Sequence, residues 1–205
     1  MIRSLLETEA FPAKLQEFLQ KKAEGNPFYL EEVINALIES QMLIRDRGRW
    51  KMTKTFSEFD IPATIQGVIE SRIDRLENES KQVLQEASVI GRIFLYEILK
   101  RISDPVFHLD QFLSDLENLD LIRTKSIQPE LEYIFKHALI QETAYNSLLI
   151  KERGKIHERI GRVIEQFFSD RLPEFYETLA YHFSNGESEL KAIDYLVLSG
   201  DKSLK

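Results

Sequence analysis

Phe135-Lys136-His137-Ala138-Leu139-Ile140-Gln141-Glu142-Thr143-Ala144-Tyr145-Asn146-Ser147 joins a strand-like run, Leu131 to Phe135, directly to an amphipathic helix that begins at Ala138. The first turn of a helix holds N–H groups with no partner inside the helix and a partial positive charge. A histidine placed there stands where an anion such as a phosphate is well received. Its neighbours Phe135, Leu139 and Ile140 predict a half-buried ring.

Reading back from that stretch, Leu121 to Thr124 forms a second strand-like run, joined to the first through Lys125 to Glu130. Before it come three predicted helices. One begins at Asn78, a good N-cap residue, and stops at Gly91; one runs from Phe94 to Ile102 and is ended by Ser103-Asp104-Pro105; one spans Leu109 to Leu119. Three helices, a two-stranded ribbon and a closing helix make a winged-helix pattern. A further helix carries Ile65, Val68, Ile69, Ile73 and Leu76 inward, and Lys54 to Pro62 reads as a linker.

Nearer the N-terminus, Leu15, Phe18 and Leu19 fall on one face of a helix from Pro12 to Lys22. Gly25-Asn26-Pro27 breaks it, and Pro27 is accepted in the first turn of the next helix, where no N–H is needed. Leu30, Val33, Ile34, Leu37 and Ile38 then recur at three and four. Met42–Arg45 and Trp50–Thr53 flank Asp46-Arg47-Gly48, a hairpin signal.

After residue 150 the pattern is helical. Ile160, Val163, Ile164, Phe167 and Phe168 line one face of a helix broken at Leu172-Pro173. Phe175–Phe183 and Leu190–Leu198 then flank Asn185-Gly186 as an antiparallel pair, the expected start of a helical, TPR-like repeat. The fold class is therefore mainly α in three segments: a helical lid with a short hairpin over 1–53, a winged helix with a small β-ribbon over 54–150, and a helical arm over 151–205.

Composition narrows the function classes. With 43% hydrophobic and 30% charged residues the chain can build a core and stay in solution, and no run approaches the roughly 18 apolar residues of a membrane span. Glu7 and Glu9 interrupt the N-terminal apolar stretch, so no signal peptide is expected. The absence of cysteine removes disulfides and thiolate metal sites and fits a reducing cytoplasm. The four histidines have no metal-ligand spacing; His108, His157 and His182 read as ordinary surface residues.

Net charge is −7, and residues 54–150 hold 16 acidic against 10 basic side chains. Asp104, Asp110, Asp115, Glu117 and Asp120 crowd the helix that would enter a DNA groove, with no lysine or arginine from Ile102 to Ile122. Phosphate repulsion argues against nucleic acid as a partner. Lys151, Arg153, Lys155, Arg159 and Arg162 are interspersed with Glu152 and Glu158, which suits a solvated helix face or an intramolecular contact. A phosphate-cradling P-loop requires GxxxxGK[ST]. Around Gly154-Lys155, Leu149 replaces the first glycine and Ile156 the hydroxyl residue, and no apolar strand ends in paired acids to hold magnesium. This chain by itself is not expected to hydrolyse ATP.

Four stretches in order carry a family resemblance: Gly25-Asn26-Pro27-Phe28-Tyr29-Leu30-Glu31-Glu32; Ile61-Pro62-Ala63-Thr64-Ile65-Gln66-Gly67-Val68-Ile69 through Arg72-Ile73-Asp74-Arg75-Leu76; Ala87-Ser88-Val89-Ile90-Gly91; and Phe135 to Ser147. Together they resemble the STAND class of AAA+-related signal-transduction ATPases, nearest to the predicted ATPases that accompany nucleotide cyclase or transcriptional-regulator domains. The resemblance implies a lid, winged helix and arm that follow a P-loop core in a longer parent, which binds ATP or ADP. It implies that Gly25, Asn26 and Pro27 meet the nucleotide, with Pro27 packed on adenine, and that His137 approaches the phosphates of the resting ADP state. Relatives place aspartate after that histidine; here Ala138 stands in its place, so the aspartate's orienting role has no counterpart. The implied partners are the P-loop core and a protein or ligand on the arm, with neither nucleic acid nor membrane. A helical protein–protein adaptor and a winged-helix DNA-binding regulator are the alternatives.

Overall fold

The computed structural model describes residues 13–23, 25–46, 49–53, 61, 62, 64–103 and 108–203. The expected turn at Asp46-Arg47-Gly48, the linker Lys54–Pro62 and the break at Asp104-Pro105 lie wholly or partly outside those residues. The fold is mainly α with two small antiparallel sheets. It divides into two compact units, residues 1–76 and 77–205.

In the first unit, α1 (Ala13–Ala23) and α2 (Pro27–Glu39) are followed by a hairpin of β1 (Leu43–Asp46) and β2 (Arg49–Met52), then by α3 (Ile65–Asp74). The periodic stripes turn inward as read: Leu15, Leu19, Leu30, Val33, Ile34, Leu37, Val68 and Ile69 are buried, whereas Ile38 is exposed. The hairpin pairs Leu43 with Met52 and Arg45 with Trp50. Helix α3 packs on α2. The Arg72 guanidinium, buried in α3, meets the carboxylates of Glu32 and Glu39 on α2. Helix 65–74 therefore shares a unit with the segment read as the lid.

The second unit opens with α4 (Asn78–Ile90), β3 (Ile93–Leu95), α5 (Tyr96–Ile102), α6 (Leu109–Asn118), β4 (Ile122–Ser126) and β5 (Glu132–Phe135). The sheet order β3-β5-β4 completes a winged helix. Two local expectations are corrected. Asn78 is the first helical residue rather than the cap; Glu77 holds the cap position and makes no side-chain cap bond. Phe94 lies in a strand, not a helix, because β3 pairs Phe94 with Tyr133 across the sheet. A three-residue strand followed at once by a helix has too little sequence to show a period of two.

Helix α7 (Ala138–Asn146) closes the winged helix, and α8 (Ile150–Phe167) crosses back onto α4 and α5. A 3₁₀ turn (Ser169–Glu174) leads to α9 (Tyr176–Asn185) and α10 (Glu189–Ser203). Gly161 lets α9 approach α8: a Cβ there would stand 2.7 Å from the Phe183 ring. Arg159 reaches Glu86 at 3.1 Å and Arg171 pairs with Glu130 on the wing, so residues 151–203 belong to the same unit as the winged helix.

Candidate functional site

The helix entry at Gly25-Asn26-Pro27 is accounted for atom by atom. Gly25 has φ +84°, the left-handed region that favours glycine. Asn26 caps α2, its Oδ1 accepting the N–H of Phe28 at 3.0 Å and of Tyr29 at 3.4 Å. Pro27 occupies the first turn. Because Asn26 consumes the free N–H groups, this helix end has little left for an anion. What it presents is the exposed proline ring, an apolar surface suited to a flat base. A Cβ on Gly25 would meet nothing within 4 Å, so Gly25→Ala tests the backbone alone. It is expected to cost about 1–2 kcal/mol, read as a lower urea midpoint of the fluorescence of Trp50, the single tryptophan.

His137 sits where the sequence places it, as N-cap of α7 two residues beyond the end of β5. Its Nδ1 accepts the Leu139 N–H at 3.2 Å, so in the neutral ring the hydrogen sits on Nε2. The ring is exposed rather than half-buried. Phe135 and Ile140 turn inward on either side, but the chain bends at Lys136-His137, and the capping bond draws the imidazole toward its own helix end. The strand that delivers it is pinned from both sides: the Phe135 N–H bonds to the Arg92 carbonyl and the Lys136 N–H to the Leu121 carbonyl, each at 3.0 Å. Gly25–Pro27 belongs to the first unit and His137 to the second.

Gly154-Lys155 lies inside α8, where backbone N–H groups are committed to the helix, and Lys155 pairs with Glu152 at 2.9 Å. The basic cluster on α8 is largely paired: Arg159 with Glu86, Arg162 with Glu158 at 3.0 Å, and Arg153 over the Tyr145 ring. A groove of about 730 Å³ between α4 and α8 is lined by Lys81, Gln85, Glu86, Lys155 and Arg159, so it mixes both charges. On α6, Asp110 accepts from Tyr96 at 2.7 Å, and Glu117 accepts the Thr124 N–H at 2.6 Å. The exposed side of that helix is acidic and amide-bearing.

Two histidines read as surface residues are not at the surface. His157 on α8 and His182 on α9 are fully buried, with their Nδ1 atoms 2.8 Å apart. The Tyr145 hydroxyl lies 3.1 Å from His157 Nε2. No spacing rule finds such a pair, since its members stand on different helices. The one available signal was that each falls on its helix's apolar face, with Ile156 and Ile160 around one and Leu179 and Phe183 around the other. Among the described residues no group of three or more His, Cys, Asp or Glu could hold a metal ion. No helix of the described residues is long and apolar enough to cross a membrane.

Residues 1–47 match a family described as a domain of unknown function, DUF8739. The chain is also similar to the uncharacterized protein R02095 of Rhizobium meliloti (strain 1021), at 26% identity over 184 residues. That match covers 87% of this chain and 17% of the relative, so the chain spans well under a fifth of that protein's length.

Proposed function

We propose that this chain is the gripping and regulatory part of a STAND-type nucleotide switch. In this reading the first unit is a lid that lays Pro27 on the adenine. The winged helix brings His137 toward the phosphates of ADP. A P-loop core elsewhere in the parent holds most of the nucleotide and performs any hydrolysis, and the arm carries the sensed protein or ligand. The setting is cytoplasmic, without DNA or membrane as partner. Closed and open forms differ in their contacts to the nucleotide, so nucleotide state biases domain position.

The observation that carries this reading is the winged-helix order ending in an exposed histidine that caps the helix after the last strand. The exposed Pro27 ring and the much greater length of the Rhizobium relative support it. The acidic exposed side of α6 weighs against the DNA-binding alternative. The adaptor alternative has one observation of its own, the exposed apolar residues Leu190, Ile193 and Val197 on α10.

The test uses the full-length parent. His137→Ala is expected to accelerate ADP release about tenfold or more, the loss of one charge-assisted hydrogen bond of about 1.5–3 kcal/mol, and to raise basal output. An unchanged ADP off-rate with unchanged output would remove the histidine's role and favour the adaptor.

A further inference from the structure

The His157–His182 pair lies where α7, α8 and α9 meet. Both rings are 0% exposed, and His182 Nε2 has no hydrogen-bond partner. Around the pair stand Tyr145 from α7 and Tyr181 from α9, whose rings pack edge-on against His157. Arg153 and Glu158 face the same region from α8. Glu158 is engaged elsewhere, accepting from the Ser188 hydroxyl at 2.7 Å, the Glu187 N–H at 3.2 Å and Arg162. On α4, Glu86 is turned to Arg159 and Ser103. On α10, Lys191 and Tyr195 are turned to Glu165 on α8. Among the described residues, no carboxylate is hydrogen-bonded to either imidazole.

We propose that this pair is an acid-operated latch: with both rings neutral it fastens α9, and α10 behind it, onto α8, and a proton taken up by each ring releases them. The hydrogen count gives the reason. Two neutral rings carry two ring hydrogens, and one of them must lie between the facing Nδ1 atoms. The arrangement with fewest unmet donors has His182 Nδ1–H donating to His157 Nδ1 and His157 Nε2–H donating to the Tyr145 oxygen. A third hydrogen goes to His182 Nε2, which is buried and has no acceptor. A fourth sets N–H against N–H across 2.8 Å. Each added proton also places a positive charge in a fully buried site, beside Arg153.

The direction of titration agrees. Burial, with Arg153 adding to it, pushes His157 from 6.5 down to about 4. Burial, with His157 adding to it, pushes His182 down to about 3. Both folded-state values lie below the ordinary 6.5. The pair's contribution is therefore complete above pH 6.5 and is drawn down as pH falls toward 4 and 3. The hydrogen bonds that Glu158 accepts from Ser188, Glu187 and Arg162 outweigh its burial and hold it below its ordinary 4.5, so its own loss comes in a more acid range. The interval from pH 7 to pH 5 isolates the histidines from it.

Hydrogen exchange of the full chain, corrected for intrinsic rates, tests the latch at the α9 amides of Leu179, Ala180 and Phe183. From pH 7 to pH 5 the opening equilibrium is expected to rise roughly 20-fold per histidine, and several hundred-fold for both. His182→Gln, which keeps a partner for His157 Nδ1 but cannot titrate, is expected to retain only about a 20-fold response. Should that variant not fold, imidazole resonances of the unmodified chain decide: both rings are expected not to titrate in the folded state between pH 7 and 5.5. Unchanged α9 protection across the interval, a full response in His182→Gln, or a folded-state titration near 6.5 would each overturn the proposal.

Discussion

Arg72→Ala is expected to destabilise the first unit by about 3–5 kcal/mol, the cost of stranding a buried charge. The guanidinium is 1% exposed and the Glu32 carboxylate 0%. Nε donates to both oxygens of Glu39, at 3.0 and 3.1 Å, while Nη1 meets Glu32. Burial alone works against the charged arginine; hydrogen bonds and attraction from Glu39 and Glu32 outweigh it, and its pKa stands above the ordinary value. Alanine removes the cation that the buried Glu32 carboxylate meets in the core between α2 and α3. Urea unfolding followed by Trp50 emission, which originates in this unit, reads the loss. Arg72→Met combined with Glu32→Gln is expected to recover most of it, because the damage is the uncompensated carboxylate rather than a missing attraction. A loss under about 1 kcal/mol in Arg72→Ala, within the range of an exposed pair, would show that the triad does not hold α3 to α2.

That triad also bears on how the sequence is read. Glu32 and Arg72 both lie in stretches that carry the family resemblance, and the structure gives them a packing role that no ligand is needed to explain. The same is true of Gly25-Asn26-Pro27, where a left-handed φ, a side-chain cap and a first-turn proline account for all three residue types. Features set by neighbours along the chain were legible: the helix stripes, the break at residue 25, the wing strands and the histidine at the start of α7. Features set across the fold were not. Phe94 reads as the start of a helix because its strand exists only through pairing with β5. His157 and His182 read as surface residues because a polar side chain on an apolar face shows its burial only when the partner helix is in place. The basic run on α8 reads as a solvated or intramolecular face; its partners Glu86 and Asn146 lie on other helices, which spacing along the chain does not identify. For the residues proposed to meet a nucleotide, the helix-start positions of Pro27 and His137 were legible, whereas the exposure of the His137 ring, set by its bond to the Leu139 N–H, was not.

Phe94→Ala is expected to cost the second unit about 3–5 kcal/mol, seen as a lowered thermal midpoint by far-ultraviolet circular dichroism. The ring is 1% exposed. It stacks on Tyr133 at 5.7 Å between centroids and tilts against Phe135 at 5.6 Å, so one side chain on the shortest strand contacts two of the four residues of β5. Removing it opens a cavity beneath the central strand of the sheet. Phe94→Leu fills most of that volume and is expected to lose much less, which separates packing from strand pairing. The effect bears directly on His137, since β5 ends one residue before Lys136 and the bonds to Arg92 and Leu121 fix the direction in which the chain enters α7. In Phe94→Ala the amides of Phe135 and Lys136 are expected to exchange faster than in the unmodified chain, at temperatures well below the global melt. If they keep full protection while the midpoint falls, β5 is held by its backbone ladder alone, and the aromatic stack has no part in positioning the histidine.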